Sequence, residues 1–108
     1  MTGELIHLGP IAYRAFVLER TCEEDAGHSH NFDHVTFVNA GKVRVFFGDG
    51  MIEPECHDYA AGEFFLCKAE VHHRIKAMEP NTRYTCMFSH RDADGLVTQS
   101  YESEAAYH

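Results

Sequence analysis

Three histidines within seven residues set the chemistry this chain can do. In the stretch 27–41, Gly-His-Ser-His-Asn-Phe-Asp-His-Val-Thr-Phe-Val-Asn-Ala-Gly, His28 and His30 stand two apart, so on an extended strand both imidazoles leave the same face. His34 follows after a polar Asn-Phe-Asp step that can turn the chain and return a third ring. Converging neutral imidazoles suit a divalent transition metal, whose commonest protein ligand they are. Val35, Phe37 and Val38 then read as strand, and Gly41 as a turn. The plainer reading is a histidine-rich surface loop, since nine histidines in one chain produce some clustering by chance.

A second stretch, 62–75, weighs against chance. Gly62-Glu63-Phe64-Phe65-Leu66-Cys67-Lys68-Ala69-Glu70-Val71-His72-His73-Arg74-Ile75 reads as strand, turn and strand, and carries two more imidazoles. Adjacent strand residues face opposite sides, so only one of His72 and His73 enters a shared site.

Together the two stretches resemble the motifs of the cupin superfamily. The first motif of that family is a glycine, His-x-His, three or four residues, an acid or sometimes His, six residues, and Gly. Here it is matched by His28-x-His30, three residues, His34, six residues and Gly41. The second begins Gly-Asp or Gly-Glu and ends at a His often followed by Arg-Phe; Gly62-Glu63 and His73-Arg74-Ile75 correspond. Two departures stand out. His34 occupies the position where most members have Glu, which points to the four-histidine subset of small cupins. Cys67-Lys68-Ala69 replaces the usual Pro-Ala-Gly turn, which keeps His72 a rival, although the spacing from Gly62 and the following Arg-Ile favour His73. The resemblance implies a metal held by His28, His30, His34 and His73, with manganese, iron, nickel, copper and zinc all compatible. Cys67 and Cys86 are read as packing residues outside that set.

The elements that must position these rings read as short strands. Residues 11–18 form an apolar, aromatic strand, and the charged run 19–26 loops into the histidine segment. In 42–47, Val43, Val45 and Phe47 share one face while Arg44 and Phe46 take the other, Phe46 being available to a second sheet or a subunit contact. Gly48-Asp49-Gly50 is a hairpin turn leading to a short return strand, 51–53, interrupted by Pro54. Further strands are expected over 56–59, 63–67, 71–77, 83–89 and 96–101. In 83–89 the apolar face carries Tyr84, Cys86 and Phe88, with His90 next in that alternation.

No segment has the period or length of a helix beyond two turns, so the pattern implies an all-β antiparallel sandwich or barrel. The resemblance narrows this to a double-stranded β-helix, the cupin jelly roll, as a single domain over 1–108, paired as a homodimer. His57 and His90 read as ordinary strand residues and His7 and His108 as surface ones. Glu63, Asp58, Tyr84 and Arg14 read as surface groups or supports to a site, and none is singled out as catalytic.

Composition excludes several classes. A net charge of −8 disfavours nucleic acid and anionic membrane surfaces, both of which need clustered Lys and Arg. There is no signal-peptide pattern and no apolar run of membrane-spanning length, so a cytoplasmic protein is expected. The four scattered cysteines form no C-x-x-C pair and are read as buried thiols, without a disulfide framework. The expected function is a metal-dependent enzyme acting on a small molecule, with dioxygenase or other oxidative cleavage ahead of isomerase or lyase chemistry. The alternatives are a non-catalytic barrel that binds a sugar or organic acid, and a zinc-stabilised structural protein.

Overall fold

Among the described residues, nine strands form two antiparallel sheets. The computed structural model describes residues 2–8, 10–28, 33–48 and 55–89, with the backbone alone at 2–5, 7–8 and 26–28. The strands are β1 (Thr2–Leu8), β2 (Ile11–Leu18), β3 (Glu24–His28), β4 (His34–Ala40), β5 (Lys42–Phe47), β6 (Glu55–Ala60), β7 (Phe64–Cys67), β8 (His73–Ala77) and β9 (Thr82–Ser89). Among the described residues there is no helix. Five strands form one sheet in the order β1-β2-β9-β4-β7, and four form the other in the order β3-β8-β5-β6. His30, the turn residues Asp49 and Gly50, the strand expected over 51–53, His90 and the strand expected over 96–101 lie outside the described residues.

Period-2 alternation builds the interior. On β5, Val43 and Val45 are fully buried; opposite them Ile75 and Ala77 come from β8, and Val38, Tyr84 and Cys86 from the other sheet. Phe47 packs against this core as the alternation predicts, while Phe46 lies on the outer face under the Arg74 guanidinium, 4.4 Å from its ring centroid. Phe16 stacks on Tyr84 at 5.0 Å, and the Tyr84 hydroxyl donates to Asp25 at 2.7 Å, tying β9 to the β3 edge of the opposite sheet.

Two glycines carry the chain between sheets. Gly41 alone separates β4 from β5, and its φ of +80° is one that an L side chain adopts only under strain. Gly62, at φ +93°, makes the turn from β6 to β7, where its N–H donates to Val38 O at 2.9 Å. The next residue closes that turn, since a Glu63 carboxylate oxygen accepts from the Ala60 N–H at 2.7 Å. The Gly-Glu pair therefore has a purely local reason to exist.

Two strands were not expected. Thr2–Leu8 pairs with β2, and Glu24–His28 falls partly within the charged run assigned to a loop. β3 is an edge strand, and its backbone pairing with β8 holds it extended although Glu24 and Asp25 lack strand propensity. The cysteines also divide: Cys67 and Cys86 are buried thiols, but Cys22 and Cys56 are exposed and free.

On the outer face of β5 and β6, Arg44 and Asp58 form a two-pronged ion pair, Nε to Oδ1 at 2.7 Å and a terminal nitrogen to Oδ2 at 3.0 Å. The bond to Arg44 holds the Asp58 carboxyl below the usual carboxylate range. A depressed folded pKa contributes stability above the unfolded value, and that contribution is lost as pH falls through the folded one. The urea midpoints of wild type and Asp58→Asn are therefore expected to differ slightly at neutral pH and to converge as pH falls below the usual carboxylate range. Curves that stay parallel throughout would show the pair to be energetically silent.

Candidate metal centre and adjoining cavity

Three buried donors meet where the ends of the two sheets face each other. His34 opens β4 and lies opposite Cys67 of β7 in the five-stranded sheet; His73 opens β8 in the other. Their exposures are 4%, 1% and 2%. One ligand atom from each lies within 4.8 Å of the others, and the two imidazoles stand 5.0 Å apart between centroids, tilted by 58°. Donors about 2.0–2.3 Å from one tetrahedral ion are roughly 3.3–3.8 Å from one another, so the three atoms would draw together by up to about 1 Å to share it.

The chemistry of the donors also fits. A carbonyl oxygen only accepts, so the 3.3 Å contact of His73 with Val71 O makes Nδ1 the protonated nitrogen and leaves the Nε2 lone pair to bind an electrophile. Burial, reinforced by the nearby Cys86 sulfur, pushes the Cys67 thiol up to about 12, although the Thr36 hydroxyl acts the other way. At neutral pH it is a thiol, and coordination to a divalent cation requires release of its proton.

The placements of the four expected ligands differ in kind. His34 and His73 come together. His28 belongs to β3, where its backbone lies opposite His73; its side chain and all of His30 lie outside the description. His72 is directed elsewhere: its Nδ1–H donates to Gly48 O at 3.1 Å, and its own carbonyl accepts from the Gly48 N–H at 2.8 Å. Of the two adjacent histidines, His73 is the one beside His34.

Cys67, read from sequence as packing outside the metal set, is a buried core residue, and its sulfur also lies within 4.8 Å of a nitrogen of His34 and of His73. Alternation from Phe65 puts it on the inner face of β7, but its register opposite His34 is a cross-strand relation that no local pattern carries.

A cavity of about 420 Å³ is lined by Phe47, Glu55, His57, Tyr59, Leu66, Lys68 and Val71, none of them one of the three donors. Three of these neighbour a donor residue along the chain or across a strand pair. Phe47 is the register partner of His73, Val71 accepts the His73 hydrogen bond, and Lys68 follows Cys67. His57, read as an ordinary strand residue, forms a 2.6 Å contact with Glu55. Of the four groups considered as possible acids or bases, three have other partners. Glu63 caps a turn, Asp58 pairs with Arg44, Tyr84 binds Asp25, and Arg14 is buried on β2 opposite Cys86.

No protein-family model matches the sequence, and no curated protein matches it significantly. Solved structures do resemble it. KdgF from Halomonas sp. superposes with a TM-score of 0.69 at 22% identity, over 88% of this chain and 83% of that one. A cupin-2 domain protein from Shewanella frigidimarina gives 0.62 at 19%, over 78% and 74%. The fold is that of the cupins. Oxalate decarboxylase from Bacillus subtilis also superposes, at 0.65 and 20% identity, but its matched part is 21% of that chain against 75% of this one. The cupin interior is the space between the two sheets, and His34, Cys67 and His73 all face into it. Among the described residues no helix is long and apolar enough to cross a membrane.

Proposed function

We propose that this chain is a metal-dependent enzyme acting on a small molecule, with a divalent transition metal held by His34 and His73 and completed by His28 and His30. The observation that carries the reading is the convergence of His34, Cys67 and His73 from opposite sheets beside a cavity large enough for a small organic molecule. A structural neighbour, oxalate decarboxylase, has Mn(II) centres, which supports a transition metal here.

The metal, when bound, supplies a Lewis acid for substrate and, if redox-active, a site for dioxygen chemistry. Oxidative cleavage is the reaction class proposed. The chain's own residues position and enclose. Val71 O fixes the His73 ring, Phe47 and Leu66 form apolar walls that reduce water contact, and the Tyr59 phenol, raised chiefly by burial, stays protonated as a donor.

The position of Cys67 refines the choice of metal. Four neutral imidazoles leave a divalent ion at +2, whereas a thiolate in the set lowers this to +1 and selects softer ions such as zinc, copper or iron over manganese. Burial of all three donors, with a sulfur among them, also suits a closed zinc site of structural type, and that is the second reading.

Elemental analysis of purified wild type and His34→Ala separates these. About one equivalent of a redox-active metal, lost in the variant while the fold persists, supports the enzyme and justifies an oxygen-uptake screen. Zinc whose loss unfolds the variant supports the structural reading. A metal content that His34→Ala leaves unchanged overturns both.

A further inference from the structure

The two sheets turn unlike faces to solvent. On the four-stranded sheet the outward residues pair as ions, Arg44 and Lys42 with Asp58 and Arg74 with Glu24, and the Arg74 guanidinium covers Phe46. The five-stranded sheet is the opposite. Among the described residues three large apolar side chains are exposed, Ile11 at 39%, Leu66 at 51% and Phe64 at 67%, and all three stand on its outer face. Strand alternation sets Val35, Phe37 and Met87 on that face too, each partly buried, because the residues between them point inward. Ile11, Val35, Leu66 and Met87 also line a recess of about 460 Å³ at one end of the face. Contiguous exposed apolar surface of this kind marks an interaction site.

We propose that this face is the contact between two copies of the chain, related by a two-fold axis that lies in the face and crosses its strands. Charge favours a second copy. Each chain carries a net −8, so two copies repel unless they meet where acids are scarce. On β2, β4, β7 and β9 the one charged residue among the described outward side chains is Arg83, near one end of the face. Asp33, just before β4, borders the recess at the other end, since β4 and β9 run antiparallel with Val35 opposite Met87 and Ala40 opposite Arg83. The two-fold reverses the ends, so Arg83 of each copy comes over the Asp33 end of the other. Apolar surface then meets apolar surface, and opposite charges meet at both rims. An anionic lipid surface fits poorly, because it calls for clustered cations.

Area agrees. Five strands about 4.8 Å apart, the longest of eight residues, make a face of roughly 20 by 25 Å, about 500 Å² in projection. Side-chain relief raises the accessible area above the projection, toward the ~800 Å² that each partner gives to a standard interface. The subunit contact expected at Phe46 thereby moves to the opposite sheet, since Phe46 already lies beneath Arg74. The proposal depends on neither the metal nor the small-molecule function.

Sedimentation velocity of the full chain between about 1 and about 100 µM tests it. Wild type is expected to sediment at twice the chain mass. Phe64→Lys and Ile11→Lys should each raise the dimer dissociation constant at least about a hundred-fold, because each buries an unpaired ammonium group from both copies in an apolar contact. Both side chains are exposed, so the variants are expected to keep the wild-type near-ultraviolet circular dichroism. Phe46→Lys, on the outer face of the other sheet, should leave the constant unchanged. Wild type that stays monomeric at the highest concentration overturns the proposal. So does a dimer that survives either substitution on the face, or one that Phe46→Lys dissociates. A wild-type monomer that floats with phosphatidylcholine vesicles would overturn it too, and would assign the face to a lipid surface.

Discussion

Gly41→Ala is expected to destabilise the fold by about 3 kcal/mol, a fall in Tm on the order of 10–15 °C for a domain of this size. Two causes add. At φ +80° an L side chain costs roughly 1–2 kcal/mol. An added Cβ would also meet Thr82, with its Cα only 2.9 Å away and its Oγ1 closer still. Thr82 has little room to withdraw, because it is fully buried and its hydroxyl donates to Glu79 O at 2.8 Å. Gly62→Ala is the control. Its φ is also positive, at +93°, but nothing lies within 4 Å of an added Cβ, so only the conformational cost of about 1–2 kcal/mol remains. Thermal melts of the two variants check the difference, and equal losses would show that the contact with Thr82 is not what makes Gly41 necessary.

Added metal is expected to raise the Tm of the metal-free protein substantially. A ligand that binds only the folded state contributes about 2.7 kcal/mol at a hundred times its Kd, which for a domain this size is a shift of about 10 °C. Each metal in turn (manganese, iron, nickel, copper and zinc) would be titrated into dialysed wild type, His73→Ala and Cys67→Ala. His73→Ala should lose the shift for all of them, since the ring whose tautomer Val71 O fixes is gone. Cys67→Ala should lose most of it for zinc and copper and keep it for manganese, because only the softer ions gain from a thiolate. A shift that persists in His73→Ala would mean the metal binds away from this cluster. Indifference of every metal to Cys67→Ala would make its sulfur a packing group after all.

Much of the architecture was legible along the chain because strands announce themselves locally. The first four residues of Lys42–Phe47 alternate strictly, and the bounds and inward face of that run are both as expected, while Ile11–Leu18 matches residue for residue. The motif glycines were legible too, since positive φ at Gly41 and Gly62 is a local demand that glycine meets without strain. Less legible were β1 and β3. A charged strand such as Glu24–His28 is stabilised by a neighbour's backbone rather than by its own side chains, and a reading of hydrophobic period has nothing to register there.

The site divides along the same line. By itself the sequence determined which imidazoles are available and that only one of His72 and His73 enters a common site, because both follow from residue type and the two-residue period of a strand. Only the tertiary structure decided that His73, not His72, stands beside His34, that Cys67 joins them, and that Glu55, His57 and Tyr59 face a cavity. Those relations cross from one sheet to the other or from one strand to its partner. Register and sheet packing set them through contacts between residues tens of positions apart, and no local pattern encodes such contacts.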